Sequence, residues 1–546
     1  MRVNWCPNCN IPIIKRSECK CGSSAVNMST DVRPVFPQER FLLFLLTKNT
    51  KYLSATVWAG KGYRYFLDGQ GLQEPLGELM EKAQLDDIRE QLRVASLNDM
   101  YRSFDEEISR FVDANVEYIQ QLEYAAEYAI KDAVAKHKTF LPVVSFSGGK
   151  DSTVVSSLVS RALSNPSVIH LFGDTTLEFP ATLEYVKRFR NENPKTPFIV
   201  SRSNHDFMSL CKEIGPPSRV ISWCCTVFKT GPLNTKINGF AKNQRLLTFY
   251  GIRAAESTSR SDYQSDHFED YMGFHKVADV GTSPKIAKQK VVSPIFDWLD
   301  IDVWLYIFYR RILFNDSYRL GFTRVGCWCC PNNGAWSMFL ASIYMQNESR
   351  KWRDFLIEFA RKIGKPDPVE YVDRGNWKAR QGGAGIHAGQ IYIEAKQCVD
   401  EEHTRTIVLT KPITDELYEF FRPFGIVNRS LGNRFLNEVV ILDRSTKKQI
   451  IKLQGLQDTY ELRVTVINPT NYRLISQRID CQLRKYQSCI GCLGCASVCP
   501  RGAITYVDGY YRVSDEKCTG CLECINPWNR GGCLMAKVLA VKKGVI

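Results

Sequence analysis

No run of about 18 or more apolar residues occurs in the 546-residue chain, so no membrane-spanning helix is seen and no membrane partner is expected. The apolar stretch Phe41-Leu42-Leu43-Phe44-Leu45-Leu46 is far too short to span and is expected in a core. The start, MRVNWCPNCN, lacks the basic-then-apolar layout of a secretory signal, so a cytoplasmic location is expected. A concentrated basic tract is missing too. The 72 Lys and Arg outnumber the 58 Asp and Glu for a net charge of +14, but they are dispersed. The surplus therefore favours anionic partners, nucleotides or nucleic acid, without naming one. With 44% hydrophobic and 12% aromatic residues the chain reads as well packed and globular, and its length implies roughly three or four domains.

Cysteine, by contrast, is abundant. Twenty in a chain expected in the cytoplasm point to metal ligation, not disulfides. They fall in groups: Cys6, Cys9, Cys19 and Cys21; Cys224 and Cys225; Cys327, Cys329 and Cys330; and eight between 489 and 533. Cys211, Cys398 and Cys481 stand apart and read as buried thiols. Residues 1–28 are too few to fold on apolar burial alone. Cys6 and Cys9 have knuckle spacing, and Cys19 and Cys21 form a tighter second pair. Four thiolates on so small a loop suit tetrahedral zinc, and a zinc ribbon is expected, with iron–sulfur ligation as the alternative.

The strongest local signal is LPVVSFSGGKDST, Leu141 to Thr153. Leu141 to Phe146 is short, continuous and β-branched, as a buried parallel strand should be. Ser147-Gly148-Gly149-Lys150-Asp151-Ser152-Thr153 then turns into a helical pattern. Two glycines let backbone N–H groups crowd an anion, the helix start adds partial positive charge, and Lys150 adds a full one. This loop is built for phosphate.

Around it the chain divides. Residues 29–95 read as a small β-rich domain, with Asp31 to Pro37 an extended, proline-set segment. Residues 96–137 read as a helical lead-in. Over 138–375 strands and helices alternate, which predicts a doubly wound parallel sheet with its ligand at the carboxyl ends of the strands. GGAGIHAG marks a flexible break, 391–480 a small α+β domain, and 481–546 the cysteine-dense end.

Reading on from the loop, three further blocks follow in order. They are Asp174-Thr175-Thr176-Leu177-Glu178-Phe179-Pro180, then Trp223-Cys224-Cys225 with Lys229 and Pro232, then Gly251-Ile252-Arg253-Ala254-Ala255-Glu256-Ser257 with Arg260. Together these residues resemble the phosphoadenosine phosphosulfate (PAPS) reductase family of the PP-loop ATP pyrophosphatase superfamily, over about 140–335. The resemblance implies an α/β fold of the adenine nucleotide alpha hydrolase type. By position it implies that Ser147 to Thr153 hold pyrophosphate, that Asp174 and Glu178 flank the ligand, and that Arg253 and Lys229 neutralise its charge. Preorganised cations and N–H donors are what adenylyl or phosphoryl transfer requires. Two departures matter. Sulfonucleotide reductases of this family usually carry a degraded loop, whereas SGGKDS is intact here, as in branches that split ATP. Their Glu-Cys-Gly-Leu-His type tail, which bears the nucleophilic cysteine, is missing.

Cys224-Cys225 and Cys327-x-x-Cys330 resemble the pattern by which adenylyl sulfate reductases ligate a [4Fe–4S] cluster beside the nucleotide. Zinc and reduced structural thiols are the alternatives. The block GCWCCP also resembles one in the sulfur-transfer enzymes of DNA phosphorothioation, which leaves Cys329 as a candidate sulfur carrier or alternative ligand. At the carboxyl end, Cys489-x-x-Cys492-x-x-Cys495-x-x-x-Cys499-Pro500 is the bacterial ferredoxin run, followed by Cys518, Cys521, Cys524 and, after a longer gap, Cys533. The fourth cysteine of each run ligates the other cluster in such ferredoxins. The expected sets are Cys489, Cys492, Cys495 and Cys533 for one cluster, and Cys518, Cys521, Cys524 and Cys499 for the other.

The expected chemistry is ATP-dependent, with Mg²⁺: adenylation of an acceptor oxygen, loss of pyrophosphate, and replacement of that oxygen by sulfur. Lys150, Asp151, Asp174, Arg253 and Cys329 are the candidate catalytic residues. Partners would be a nucleic acid acceptor (tRNA or DNA), a sulfur donor such as a cysteine desulfurase, and an electron donor. The alternatives are an adenylyl sulfate or PAPS reductase releasing sulfite, and a non-catalytic nucleotide-sensing redox module.

Overall fold

The computed structural model describes residues 3–219, 222–240, 244–256, 289–379, 393–489, 491, 493–507 and 510–525. Its described residues form two compact units. The first comprises the chain up to Val200, residues 244–256 and Gln289–Asp354; the second comprises residues 201–240 and the chain from Phe355 onward. No helix among the described residues is long and apolar enough to cross a membrane.

The first unit is organised on a five-stranded sheet in the order Phe198–Arg202, Ile169–Asp174, Leu141–Ser145, Leu246–Phe249, Gln289–Val292. Leu141–Ser145 lies in the middle, parallel to Ile169–Asp174 on one side (Val144 opposite His170) and to Leu246–Phe249 on the other (Val144 opposite Phe249). Gln289–Val292 continues the parallel run. Because the first strand in sequence is central, the chain winds first to one side and then to the other. The crevice where it reverses opens directly after Ser145. This is the doubly wound α/β sheet that the alternating pattern predicts, and the SGGKDS loop sits at its switch point.

The helix Lys150–Ala162 covers the sheet with Val154, Val155, Leu158, Val159 and Ala162, all buried at helical spacing. Against it and against the helix Asp300–Tyr309 packs a 39-residue helix, Asn98–Lys136. That long helix buries Phe104, Ile108, Phe111, Ile119, Leu122, Ala126 and Ile130, one apolar stripe feeding a single core. Its Asn115 is buried and fully used. Oδ1 accepts the Ile14 N–H at 3.0 Å, and Nδ2 donates to the Pro12 and Phe111 carbonyls at 3.0 and 2.8 Å. This ties the amino-terminal strands Val3–Cys6, Ile11–Ile14 and Val26–Ser29 to the helix. The following segment pairs Arg33–Pro34, Val57–Ala59, Arg64–Leu67 and Gln70–Gln73 in an antiparallel sheet. The apolar stretch at 41–46 lies in the helix Pro37–Thr47 and buries Leu42, Leu43, Leu45 and Leu46.

The second unit is built on a six-stranded antiparallel sheet, running from Glu394–Gln397 at one edge to Ile426–Asn428 at the other. The helix Tyr472–Ser488 packs Ile479, Leu483 and Tyr486 into its core. The same core takes in Ile504, Tyr511 and Val513 of the hairpin Ile504–Val507/Tyr510–Val513, together with Cys495 and Cys524. Sheet and cysteine-dense end are thus one packed body. Residues 201–240 belong to this unit. Phe207, Trp223 and Phe228 form a buried aromatic cluster with ring centroids 5.8–6.3 Å apart. The π-helical turn Cys225–Thr230 and the helix Gly231–Phe240 pack against the short helix Gly494–Ser497.

A candidate nucleotide site and its cysteine clusters

The loop after Leu141–Ser145 is closed by its own hydroxyls. Ser152 Oγ accepts the Ser147 N–H at 3.1 Å, and Ser152 and Thr153 both donate to the Gly149 carbonyl, at 2.9 and 3.0 Å. Gly148 has φ of +72°, and a Cβ there would stand 3.0 Å from Thr182 Cγ2, so this turn needs glycine. Two side chains from beyond residue 300 brace it. The Lys150 N–H donates to Tyr318 Oη at 2.9 Å, and Asn315 Nδ2 donates to the Gly148 carbonyl at 3.1 Å.

Past the loop four charges interlock. Lys150 Nζ lies 3.1 Å from Asp151 Oδ2 and 3.3 Å from Asp300 Oδ1. Arg253 donates from Nε to Asp151 Oδ1 at 2.7 Å and from its guanidinium end to Asp300 Oδ1 at 2.6 Å. Lys150 and Arg253 are buried, and both carboxylates keep them charged against the cost of desolvation. Burial pushes the Asp300 carboxyl up, but Lys150 and Arg253 outweigh it and hold it well below the usual carboxylate range. Gly251 makes the close approach possible: a Cβ there would lie 2.7 Å from the Asp151 carbonyl carbon. Sequence reasoning singled out Lys150, Asp151 and Arg253 but missed Asp300, whose place in Trp298-Leu299-Asp300 reads as an ordinary helix start.

At the end of the neighbouring strand, Asp174 Oδ1 accepts the Thr176 N–H at 2.9 Å. Glu178 accepts from the Thr175 backbone at 3.1 Å and hydroxyl at 2.6 Å, while burial raises its pKa. The Cys327–Cys330 loop is docked on this turn. Glu178 and Cys327 form a β-bridge, Trp328 N–H donates to the Leu177 carbonyl at 2.9 Å, and Thr175 Oγ1 lies 3.4 Å from Cys327 Sγ. Asn333 fastens the loop from inside, donating to the Cys327 and Trp328 carbonyls at 3.1 and 3.0 Å. Cys329 is buried. Cys224, Cys225 and Lys229 lie in the second unit, Cys225 and Lys229 within the π-helical turn and Cys224 at its cap.

In the amino-terminal ribbon the Sγ atoms of Cys6, Cys9, Cys19 and Cys21 all lie within 4.8 Å of one another. Cys6–Cys21 is 3.6 Å and Cys9–Cys19 is 3.8 Å. A tetrahedral ion with metal–sulfur bonds of about 2.3 Å has sulfur–sulfur edges of about 3.8 Å, so the donor set fits. Burial raises the Cys9 and Cys19 thiols, which a metal would have to offset.

At the carboxyl end Cys499, Cys518, Cys521 and Cys524 line one cavity, walled by Pro423, Ala503, Ile504, Val513 and Leu522. Four thiols around an apolar hollow suit a cubane cluster. Burial pushes the Cys524 thiol up to about 12, so without a metal it would stay protonated at neutral pH. Cys489 and Cys495 are near neighbours, and Gly491 between them has φ of +66°, where a Cβ would collide with the Tyr506 ring. Cys492 and Cys533 lie outside the described residues. One residue here escaped the sequence reading. Lys485 is buried, donates to Tyr511 Oη at 3.1 Å, and brings its charge to bear on both Cys489 and Cys524.

Comparison with known proteins then decides the family of these parts. Residues 141–333 match the phosphoadenosine phosphosulfate reductase domain, and residues 482–527 match the 4Fe-4S dicluster domain. Residues 141–333 are a PAPS reductase domain. Two uncharacterized proteins of Methanocaldococcus jannaschii are similar: one is 32% identical over 41% of this chain and 50% of its own length, the other 31% over 51% and 54%. The chain thus spans about half the length of these curated relatives. An adenosine 5'-phosphosulfate reductase of Neisseria meningitidis is 34% identical over 20% of this chain and 35% of its own length. The PAPS reductase domain therefore brings the SGGKDS loop, Arg253 and Asp300 to one crevice, with the Cys327–Cys330 loop docked at the neighbouring strand end. It is joined in the same chain to a dicluster ferredoxin domain.

Proposed function

We propose that the chain is an ATP-using, iron–sulfur-dependent sulfur-transfer enzyme. The observation that carries this reading is the intact SGGKDS loop with Lys150 and Arg253 both held at its mouth. Lys150 and Arg253 would hold the phosphates of ATP–Mg²⁺, joined by the loop N–H groups and by Lys229. An acceptor oxygen attacks the α-phosphorus, pyrophosphate leaves, and the acceptor carries AMP. The outer sulfur of a Cys329 persulfide then displaces the adenylylated oxygen, AMP departs, and two electrons from the ferredoxin domain cleave the remaining S–S bond to leave the thiolated acceptor and the Cys329 thiol. A base or phosphate of tRNA or DNA is the acceptor this reading favours, given the net charge of +14 and the ribbon. A sulfur donor of the cysteine desulfurase class would supply the sulfur, with Cys329 as its carrier.

Cys6, Cys9, Cys19 and Cys21 would hold zinc. The ferredoxin cysteines would hold two [4Fe–4S] clusters, which move electrons one at a time. Their seating supports a role as a wire. His205 Nε2 donates to the Gly491 carbonyl at 3.0 Å, and Gly494–Ser497 packs on the turn that begins at Cys225. In this reading Cys224, Cys225, Cys327 and Cys330 hold a third cluster. Replacing Cys224 and Cys225 by Ser should then remove one cluster's worth of iron and sulfide from anaerobically purified protein.

The match to reductases favours a second reading, reduction of adenylyl sulfate or PAPS to sulfite at the expense of two electrons from the ferredoxin domain. Incubation with ATP and then with adenylyl sulfate separates the two. Pyrophosphate release that is lost in Lys150→Ala supports the first, and sulfite release supports the second. Neither product, with cellular function intact in Lys150→Ala, would leave a nucleotide-sensing redox module.

A further inference from the structure

The reductase domain does not complete its own phosphate site. Asp300, which clamps Lys150 and Arg253, is the first residue of the helix Asp300–Tyr309. The backbone N–H groups of Asp300 and Ile301 have no partners within that helix, as at any helix start. Both are taken by one side chain from far away in sequence: Asp31 accepts from Asp300 N at 3.1 Å and from Ile301 N at 3.2 Å. Asp302 completes the fixture from inside the helix. Its Oδ2 accepts the Leu299 N–H at 2.8 Å and its Oδ1 accepts from Tyr118 Oη at 3.1 Å.

Asp31 is itself held rigidly. It follows the ribbon strand Val26–Ser29, its carbonyl accepts from Ser29 Oγ at 3.0 Å, and Val32 beside it is buried. Arg33 makes a bidentate pair with the buried Glu39, at 2.7 and 2.6 Å. Such a fork ties the segment to the helix Pro37–Thr47 with defined geometry. Asp31 thus stands on a stiff segment that lies outside residues 141–333 and continues directly from the cysteine ribbon.

We infer that Asp31 is a positioning residue for the nucleotide phosphates: it fixes the start of the Asp300 helix, and through Asp300 it aims Lys150 and Arg253. This rests on the reading that the SGGKDS site binds an adenine nucleotide. Without Asp31 the amides of Asp300 and Ile301 lose their acceptor, the helix start can shift, and with it the carboxylate that sets the spacing of the two cations. A misplacement of an ångström at such a clamp is costly.

The test is calorimetric titration of the full chain with ATP–Mg²⁺ and with adenylyl sulfate, in two backgrounds. Asp31→Ala should weaken whichever nucleotide the wild type binds by about tenfold, the scale of losing hydrogen bonds to a charged acceptor. Asp31→Asn keeps one acceptor and should recover much of the loss. In an Arg253→Met background, Asp31→Ala should have little further effect, because the two act in series. Equal weakening in both backgrounds, or wild-type affinity in Asp31→Ala, would overturn the inference. Should Asp31→Ala not fold, Asp31→Glu keeps the charge, moves the carboxylate by one methylene, and should show the same background-dependent loss. A wild type that binds neither nucleotide is a different result, which removes the site reading itself and this inference with it.

Discussion

Replacing Gly251 by alanine probes the crevice with one methyl group. The backbone of Gly251 is outside the left-handed region, so alanine carries no conformational penalty there and any cost is steric. The added Cβ would meet Asp151 at 2.7 Å from its carbonyl carbon and 2.9 Å from its Cβ, and Ser152 N at 2.9 Å. Ordinary contact begins near 3.4 Å, so the strand end or the loop must move by about 0.7 Å. Two of those atoms are backbone in the first turn of Lys150–Ala162, pinned by the Gly149 hydrogen bonds, and cannot rotate aside. Overpacking of this kind costs about 1–3 kcal/mol of stability. The larger effect should be on binding. Arg253 is two residues from the clash, and its bonds of 2.7 and 2.6 Å to Asp151 and Asp300 leave no slack. Nucleotide affinity should fall by about tenfold to a hundredfold. Urea denaturation measures the first effect and calorimetric titration with ATP–Mg²⁺ the second. A Gly251→Ala protein with wild-type stability and affinity would refute the idea that loop and Arg253 strand work at fixed contact.

Two further outcomes are expected. Burial, with Asp31 adding to it, pushes Asp302 up to about 7. The folded carboxyl therefore keeps a proton that the unfolded chain releases near pH 4, and stability falls as pH rises between about 4 and 7. Asp302→Asn should flatten that slope, worth on the order of 4 kcal/mol across the window, in denaturation curves taken at several pH values. Lys485→Met removes a buried positive charge beside both ferredoxin sites, so potentiometric titration should show both clusters at lower potential than in the wild type. Unchanged potentials would mean that Lys485 serves packing alone.

What could be read from sequence follows how local each feature is. The SGGKDS turn was legible as a strand-to-helix junction because strand, glycines, lysine and hydroxyls are contiguous, and the alternation around it gave the parallel sheet. The ribbon and ferredoxin runs were legible because ligand spacing is a local constraint. Asp300 and Asp31 were not. They come from opposite flanks of the loop, one looking like a helix start and the other like part of an extended linker, and only tertiary packing joins them. Lys485 reads as one more cation on a basic helix until Tyr511 closes over it. The membership of residues 201–240 in the second unit was also beyond reach. Their pattern is that of the surrounding α/β domain, and the helix they pack on comes more than 250 residues later.

The packing of residues 225–240 on a helix made so much later sets an order of events in biosynthesis. The aromatic cluster of Phe207, Trp223 and Phe228 leaves the ribosome long before Gly494–Ser497, the helix that covers the adjoining turn. At about 5–20 residues per second the interval is about 10–50 s. During that time the turn Cys225–Thr230 lacks the Gly494–Ser497 surface on which it packs. A chain that ends before the ferredoxin domain therefore leaves the face of this turn and of the helix Gly231–Phe240 that meets Gly494–Ser497 uncovered.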